Sequence, residues 1–225
     1  MFDIFAQELK NPWEATPQSP AAEALALMED NPFASFREME FNVSLRWQPY
    51  DRAKALQEIS TNPRAIVGLR TNEPFYLEGS LARHPTRNTF TLSPGDGFLS
   101  ESGVLEESKD FVKRWQQVLP RFGWGGINAD RAANDFYNAQ GLAPLPDCFG
   151  SYLAWYTLIS PLGYEPYFTP EDLEHIPAHS VRRLPDGSFS ITSYPNPLAF
   201  DDASSRRAVA EITNYLNQRR KDWRT

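Results

Sequence analysis

Apolar and polar residues alternate along the first half of the chain in the way typical of β-strands. The alternation is clearest over residues 41–47, where every second side chain is apolar and the residues between are Asn, Ser and Arg. Such a period of two predicts a half-buried strand. Three further strands are predicted over residues 64–70, 75–81 and 88–92, the last two joined by an antiparallel connection.

Segments in which apolar residues recur at helical spacing lie between and after these strands. In residues 104–119, apolar side chains recur at helical intervals and charged residues fill the opposite face. Helices are also predicted over residues 21–30 and 52–59, and after Asp201 or Asp202 near the C terminus. Strands therefore occur in runs with helices interspersed. This order predicts an α+β fold, a mostly antiparallel sheet with helices packed on it.

The second half of the chain carries capping and turn signals. Residues 152–159 are apolar on both faces, which predicts a central strand. Thr169-Pro170-Glu171-Asp172 combines a hydroxyl cap, a proline at the first helical position and acids in the first turn, which predicts a helix start. Pro185-Asp186-Gly187 predicts a hairpin turn. The Gly-rich residues 122–128 predict a tight turn, in which Trp124 is either an exposed contact or a buried residue.

The length of 225 residues is sufficient for one well-packed domain, and we expect a single α+β domain over residues 1–225. A proline-rich stretch precedes the helix at 21–30, so residues 1–35 are expected to form an N-terminal helical arm. The loop at residues 142–150 suggests a subdivision into a first half, 36–145, and a second half, 146–225.

Composition narrows the class of protein. Cys148 is the only cysteine, no apolar run is long enough to span a membrane, and the N terminus lacks the features of a secretory signal. We therefore expect a cytoplasmic protein that does not bind membranes. The net charge of −7 disfavours direct contact with nucleic acid and favours a basic partner.

The candidate catalytic residues do not form a recognisable constellation. His175 and His179 have the spacing of ligands on one helical face, but Pro177 between them breaks a helix. Together with Cys148 they supply three ligands, whereas structural zinc takes four. A Cys148 nucleophile needs an oriented histidine, which sequence spacing cannot show. We expect no enzyme activity, no metal and no cofactor.

Residues 151–221 resemble a segment of bacterial toxin-immunity proteins. The resemblance is carried by Gly163-Tyr164, Tyr167-Phe168-Thr169, Asp172-Leu173, Pro177-Ala178, Val181, Asp186-Gly187, Ile191, Tyr194-Pro195-Asn196-Pro197 and Asn214-Tyr215-Leu216-Asn217. The size and tryptophan-rich α+β pattern are also similar to immunity proteins of polymorphic and type VI secretion toxins, in particular the immunity family numbered fifty-two. That family is paired with toxins of restriction-endonuclease fold. The resemblance implies binding to a toxin and carries over no catalytic residues.

The expected function is therefore stoichiometric neutralisation of a cognate secreted toxin, a nuclease being one candidate. The expected contacts are Trp124, Tyr167, Glu171, Asp172 and Glu174, with two alternatives of at least equal weight: Glu171 and Asp172 serve only to cap the helix, and Trp124 is buried. Two alternatives are a small cytoplasmic hydrolase that uses Cys148 or His179, and an adaptor or chaperone of a secretion system. Loss of function on mutation of Cys148 would favour the hydrolase, and tight binding that survives the mutation would favour the inhibitor.

Overall fold

The computed structural model describes residues 3–9, 20–31, 35–44, 46–62, 64–71, 77–84, 87–94, 103–119, 121–128, 136, 139–146, 149 and 153–223. The chain divides into two compact units, Met1–Phe122 and Gly123–Thr225. The segment 142–150, expected to separate two halves, lies inside the second unit. Helices and antiparallel strand pairs build both units, which confirms the predicted α+β class.

The first unit contains six strands and three helices in its described part. The strands are β1 (Asp3–Leu9), β2 (Glu38–Phe41), β3 (Gln48–Pro49), β4 (Ile66–Arg70), β5 (Leu77–His84) and β6 (Arg87–Pro94), in the spatial order β3-β2-β4-β5-β6-β1. The helices are α1 (Pro20–Glu29), α2 (Arg52–Thr61) and α3 (Val104–Val118). These elements confirm the predicted strands near residues 64–70, 75–81 and 88–92 and the predicted helices.

One face of this sheet forms the core of the first unit. Val67, Leu81, Phe90 and Ala6 lie in register across β4, β5, β6 and β1, and each is at most 2% exposed. Helix α3 packs against β1, and α1 contacts both α2 and α3. Because neighbouring residues of a strand point to opposite faces, the residues between these apolar positions form a separate, more polar face.

Residues 1–35, expected to form a helical arm, contain a strand as well as a helix in their described part. Strand β1 pairs with β6, and α1 buries Leu25 and Met28 completely. At the end of α1, the Glu29 carboxylate accepts a 2.6 Å hydrogen bond from the Tyr50 hydroxyl and pairs with Arg52 at 2.9 Å. Burial, reinforced by Glu29, raises the pKa of Tyr50 well above its ordinary value. The Tyr50 hydroxyl therefore stays protonated and donates its hydrogen bond to Glu29. Strand β1 and helix α1 both belong to the first unit.

The strand predicted over residues 41–47 is wrong for the described residues beyond Phe41. Phe41 is the last residue of β2, and Asn42 and Val43 form a turn with φ of 55° at both residues. The Asn42 amide donates to the Ile66 carbonyl at 2.8 Å, and the Asn42 side-chain oxygen accepts from the Ile66 amide at 3.1 Å. These two bonds to β4 turn the chain where the alternating pattern predicts that it continues straight.

The second unit contains, in its described part, four strands, three α-helices and two short 3₁₀-helices, Pro197–Ala199 and Lys221–Trp223. The strands are β7 (Phe122–Asn128), β8 (Tyr156–Ile159), β9 (Ser180–Arg183) and β10 (Phe189–Thr192), in the order β7-β8-β10-β9. The α-helices are α4 (Pro161–Tyr164), α5 (Pro170–Glu174) and α6 (Ala203–Arg219). All four residues of β8 are buried, which confirms the predicted central strand. No helix in the described residues is long and apolar enough to cross a membrane.

The Gly-rich segment 122–128 is the second element that sequence reasoning misassigned. It forms the buried strand β7 instead of a tight turn. Its Gly123 carbonyl accepts hydrogen bonds from the Ser160 amide at 3.0 Å and the Ser160 hydroxyl at 3.1 Å. Glycine is suited to this place because a neighbouring backbone approaches it closely. Trp124 is consequently buried, at 4% exposure, so the structure has the buried alternative and not the exposed contact.

The hairpin between β9 and β10 confirms the predicted turn at Pro185-Asp186-Gly187. Gly187 has φ of 84°, a conformation that β-branched residues strongly disfavour. We expect Gly187→Val to lower the free energy of unfolding by more than about 1 kcal/mol. Gly187→Asn should recover part of this loss, because asparagine tolerates positive φ. Chemical denaturation of both variants tests the turn, and equal stability of the valine variant and the wild type would contradict it.

Candidate partner-binding surface

Four of the five predicted contact residues lie around helix α5 in the second unit. Tyr167 is half-buried just before the helix, Glu171 and Glu174 are exposed on it, and Asp172 lies between them in its first turn. Trp124 is the exception, because it belongs to the buried strand β7. Its place opposite Ile159 in the pairing with β8 gives it a packing role.

Asp172 and Thr169 form a complete capping box at the start of α5. The Thr169 hydroxyl accepts from the Asp172 amide at 3.2 Å, and the Asp172 carboxylate accepts from the Thr169 amide at 2.8 Å. Two amides at the helix start thus gain partners. The Arg219 guanidinium lies 3.9 Å from the same carboxylate. Asp172 therefore positions the helix, as its sequence context predicts, and its carboxylate is already engaged within the protein.

Loss of this cap should have a measurable cost. We expect Thr169→Ala to lower the free energy of unfolding by about 1 kcal/mol, because the Asp172 amide loses its hydroxyl acceptor. Thr169→Ser keeps the hydroxyl and is the matched control. Urea denaturation measures both variants. An alanine variant as stable as the serine variant would show that the hydroxyl contributes nothing to the helix.

The charges around α5 are mixed in sign. Glu174 pairs with Arg183 at 3.1 Å, so its charge is partly compensated. The Glu171 side chain makes no hydrogen bond or ion pair with any residue the structure describes. Of the three predicted acidic contacts, Glu171 is therefore the one most available to a basic partner. The surface is less acidic than the sequence of α5 suggests.

Two residues of α6 complete this surface, which we call the α5 surface: Tyr167, Glu171, Asp172, Glu174, Tyr215 and Arg219. The Tyr215 hydroxyl donates to the Asp172 carbonyl at 3.0 Å, and the Arg219 guanidinium lies 3.7 Å from the centre of the Tyr215 ring. Burial raises the pKa of Tyr215, and Arg219 opposes this shift. Sequence reasoning missed both residues, although their spacing of four on a predicted helix places them on one face.

Of the candidate catalytic residues, the structure describes the two histidines. His175 and His179 are both exposed, and the His175 ring nitrogen Nδ1 lies 2.8 Å from the Glu171 carbonyl oxygen as part of the end of α5. Cys148 lies outside the described residues. Within the described ranges, no group of three or more His, Cys, Asp or Glu residues is placed to hold a metal ion.

Comparison with known proteins shows a similarity at the level of fold. No protein-family profile matches the sequence, and no curated protein matches it either. Among solved structures, the chain is similar to the Pseudomonas aeruginosa T6SS protein PA0821, with a TM-score of 0.57 and 9% sequence identity. The similarity covers 98% of this chain and 73% of that protein. The two proteins therefore share a fold over nearly the whole of the present chain.

Proposed function

We propose that the protein is an immunity protein of a type VI secretion system, which binds and neutralises a cognate secreted toxin in the cytoplasm. The observation that carries this proposal is the fold shared with a T6SS protein over 98% of the chain. The residues within 151–221 that resemble those of immunity proteins support the same class of protein, independently of the fold. In this function the protein acts by stoichiometric binding, with no catalysis and no cofactor.

The charge of the chain suits a toxin that acts on anionic substrates. A nuclease presents a basic cleft to its substrate, and a protein with net charge −7 is drawn to such a cleft over a long range. Complementary charge chiefly raises the rate of association and the specificity of a complex. Affinity then depends on a smaller number of well-packed contacts at the centre of the interface.

Coexpression in bacterial cytoplasm tests the proposal. The partners to try first are the products of the genes beside the one for this chain, beginning with any that carries a toxin domain. We expect the intact protein to restore growth of cells that produce this toxin and to copurify with it. Catalytically inactive toxin should copurify equally well, because binding requires no toxin activity. A soluble protein that neither restores growth nor copurifies with the toxin would contradict the proposed function.

Charge reversal tests the contribution of the α5 surface. We expect the double variant Glu171→Lys and Glu174→Lys to slow association with the toxin by about threefold or more and to weaken its dependence on salt. A double variant at the exposed acids Glu106 and Glu107 of the first unit is the matched control, with the same change in net charge. Stopped-flow association at several salt concentrations measures both. Equal slowing by the two pairs would contradict a local role for the α5 surface.

A further inference from the structure

Strand β9 (Ser180–Arg183) lies at the edge of the sheet in the second unit. It is the last strand in the order β7-β8-β10-β9, and among the described strands it pairs with β10 alone. An edge strand presents backbone N–H and C=O groups on the side away from its neighbour, which we call the open edge of β9. Another extended chain can pair with these groups, and the side chains around them select which chain it is.

The hydrogen bonds of β10 show which of its residues bond to β9. The Ser193 amide donates to the Trp155 carbonyl at 2.9 Å, and these two residues continue the register of β10 with β8. In an antiparallel sheet, residues that bond to the strand on one side alternate with residues that bond to the strand on the other. Ser193 and every second residue before it therefore bond to β8, which leaves Ser190 and Thr192 to bond to β9.

Two residues of β9 consequently direct their backbone groups toward the open edge. The β9 partners of the two residues of β10 that bond to it are Ser180 and Arg182. Because successive residues alternate, Val181 and Arg183 direct their N–H and C=O groups outward. The hairpin agrees with this alternation, since the Leu184 amide bonds inward, at 2.8 Å, to the carbonyl of the residue before β10.

The outward backbone groups are accessible. Val181 is half-exposed and Arg183 is exposed, and neither backbone forms a hydrogen bond outside the strand pairing in the part of the chain that the structure describes. The 3.3 Å bond from the His179 amide to the Ser193 carbonyl lies before the first residue of β9, where the regular pairing ends. The open edge therefore offers two N–H donors and two C=O acceptors to an extended chain.

The side-chain charge available beside the open edge is positive. Arg182 is exposed, and its side chain makes no hydrogen bond or ion pair with any described residue. Arg183 is already engaged, because it pairs with Glu174 at 3.1 Å and lies 5.9 Å from the centre of the Phe189 ring. Opposite charges on neighbouring strands stabilise their pairing. A chain that adds to β9 is therefore expected to carry an acidic side chain beside Arg182.

A second copy of this chain is a poorer partner for the open edge. Opposite residues of paired strands lie on the same face of a sheet, and like charges there are destabilising. Antiparallel pairing of two β9 strands would bring both Arg182 side chains to one face. The edge strand β3 (Gln48–Pro49) of the first unit is protected differently, because it has only two residues and its proline lacks an N–H.

We propose that an extended segment of the toxin adds to β9 as a further strand, bonded to the backbone of Val181 and Arg183, with an acidic side chain paired to Arg182. This inference rests on the proposed function and assigns a mode of recognition to it. Helix α5 contacts β9, and the pair of Glu174 with Arg183 joins them, so the added strand would adjoin the α5 surface. Main-chain hydrogen bonds then supply affinity, whereas net charge acts on the association rate.

Amide hydrogen exchange followed by NMR tests the pairing without any substitution. The probe is the catalytically inactive form of the toxin that copurifies in the coexpression experiment. We expect this toxin to slow the exchange of the Val181 and Arg183 amides by about tenfold or more, and that of Ser180 and Arg182 by less, because the latter two already bond to β10. Unchanged exchange of the outward amides in the complex, or their protection in the free protein, would overturn the proposal.

Proline substitution tests whether recognition needs the outward groups. Val181→Pro removes an outward N–H and puts a ring in the path of the added strand, so we expect it to weaken toxin affinity by about tenfold or more. Val181→Thr keeps the N–H and a β-branched side chain, and it should bind like the wild type. Arg182→Pro removes an inward N–H and should lower the denaturation midpoint further than Val181→Pro does. Wild-type affinity in folded Val181→Pro would contradict strand addition.

Charge reversal tests the acidic residue of the added strand. We expect Arg182→Glu to weaken toxin affinity by about fivefold or more, because the acidic partner then faces a like charge. Arg207→Glu, at an exposed arginine of α6, makes the same change in net charge and is the matched control. Equal affinities of the two variants would contradict the pairing at Arg182. Dimers of the toxin-free protein that protect the Val181 and Arg183 amides would assign the edge to a second copy and overturn the proposal.

The outcomes separate this proposal from the function on which it rests. If the toxin binds the wild-type protein and the outward amides exchange as before, strand addition is wrong and the proposed function stands. If the wild-type protein binds no toxin, the proposed function fails, and the inferred contact fails with it. Protection of the outward amides, together with weaker binding by Val181→Pro, supports both.

Discussion

Replacement of Gly163 by alanine is expected to lower the free energy of unfolding by about 3 kcal/mol or more, one of the largest effects of any single substitution in this protein. A Cβ atom at this position would collide with the carbonyl oxygen of Gly123 and lie 2.9 Å from its carbonyl carbon. It would also lie 3.2 Å from Ile159 Cγ1. The obstacle is mainly backbone, so a side-chain rotation cannot relieve it.

The neighbouring hydrogen bonds make this contact hard to relax. The Ser160 hydroxyl donates to the Gly123 carbonyl at 3.1 Å and accepts from the Gly163 amide at 3.3 Å. Moving α4 away from β7 would therefore strain two hydrogen bonds as well. Leu162→Ala, at an exposed position of the same helix, is the control and should change stability by less than about 1 kcal/mol. Similar denaturation midpoints for the two variants would contradict the packing of α4 on β7.

The second large effect is expected at Trp124. We expect Trp124→Ala to lower the free energy of unfolding by about 3–5 kcal/mol, because it removes a large side chain from the interior. The residue is only 4% exposed and lies opposite Ile159 in the pairing of β7 with β8. Trp124→Phe keeps an aromatic ring in this place and should cost less.

This prediction separates packing from partner contact at Trp124. If Trp124 packs in the interior, the toxin affinity of folded Trp124→Phe should stay close to that of the wild type while its denaturation midpoint falls. If Trp124 were an interface anchor, the same variant would lose affinity and keep its midpoint. Guanidinium denaturation and equilibrium binding on one preparation measure both quantities. The second pattern would contradict the buried position of the ring.

The elements that sequence reasoning predicted correctly depend on local signals. The hairpin at Gly187 needs positive φ, the start of α5 needs the hydroxyl of Thr169, and α3 shows a continuous apolar face. Each signal lies within a few consecutive residues. The two misassigned segments were decided by distant contacts. Asn42 turns because it bonds to β4, and Gly123 lies in a strand because Ser160 and α4 pack on its backbone.

The residues of the candidate sites also divide into those with a local sequence signal and those placed by distant contacts. The capping role of Asp172 could be predicted because its partner Thr169 is three residues away. The contact between Tyr215 and Asp172 spans 43 residues and has no local signal. The row of Glu40, Gly68 and Ser80 across the sheet of the first unit was also missed, since strand pairing alone brings these residues together. Glycine and hydroxyl residues at alternating strand positions become informative only when the register is known.

Titration of purified toxin with this protein, with toxin activity as the readout, is the most direct test of the proposed function. A stoichiometric inhibitor predicts a linear fall in activity that ends at a fixed molar ratio. The same ratio should hold after Cys148→Ser and after long incubation. Inactivation of many toxin molecules by each molecule of this protein, growing with time and abolished by Cys148→Ser, would contradict the inhibitor and favour a hydrolase. Full toxin activity at every ratio would contradict neutralisation itself.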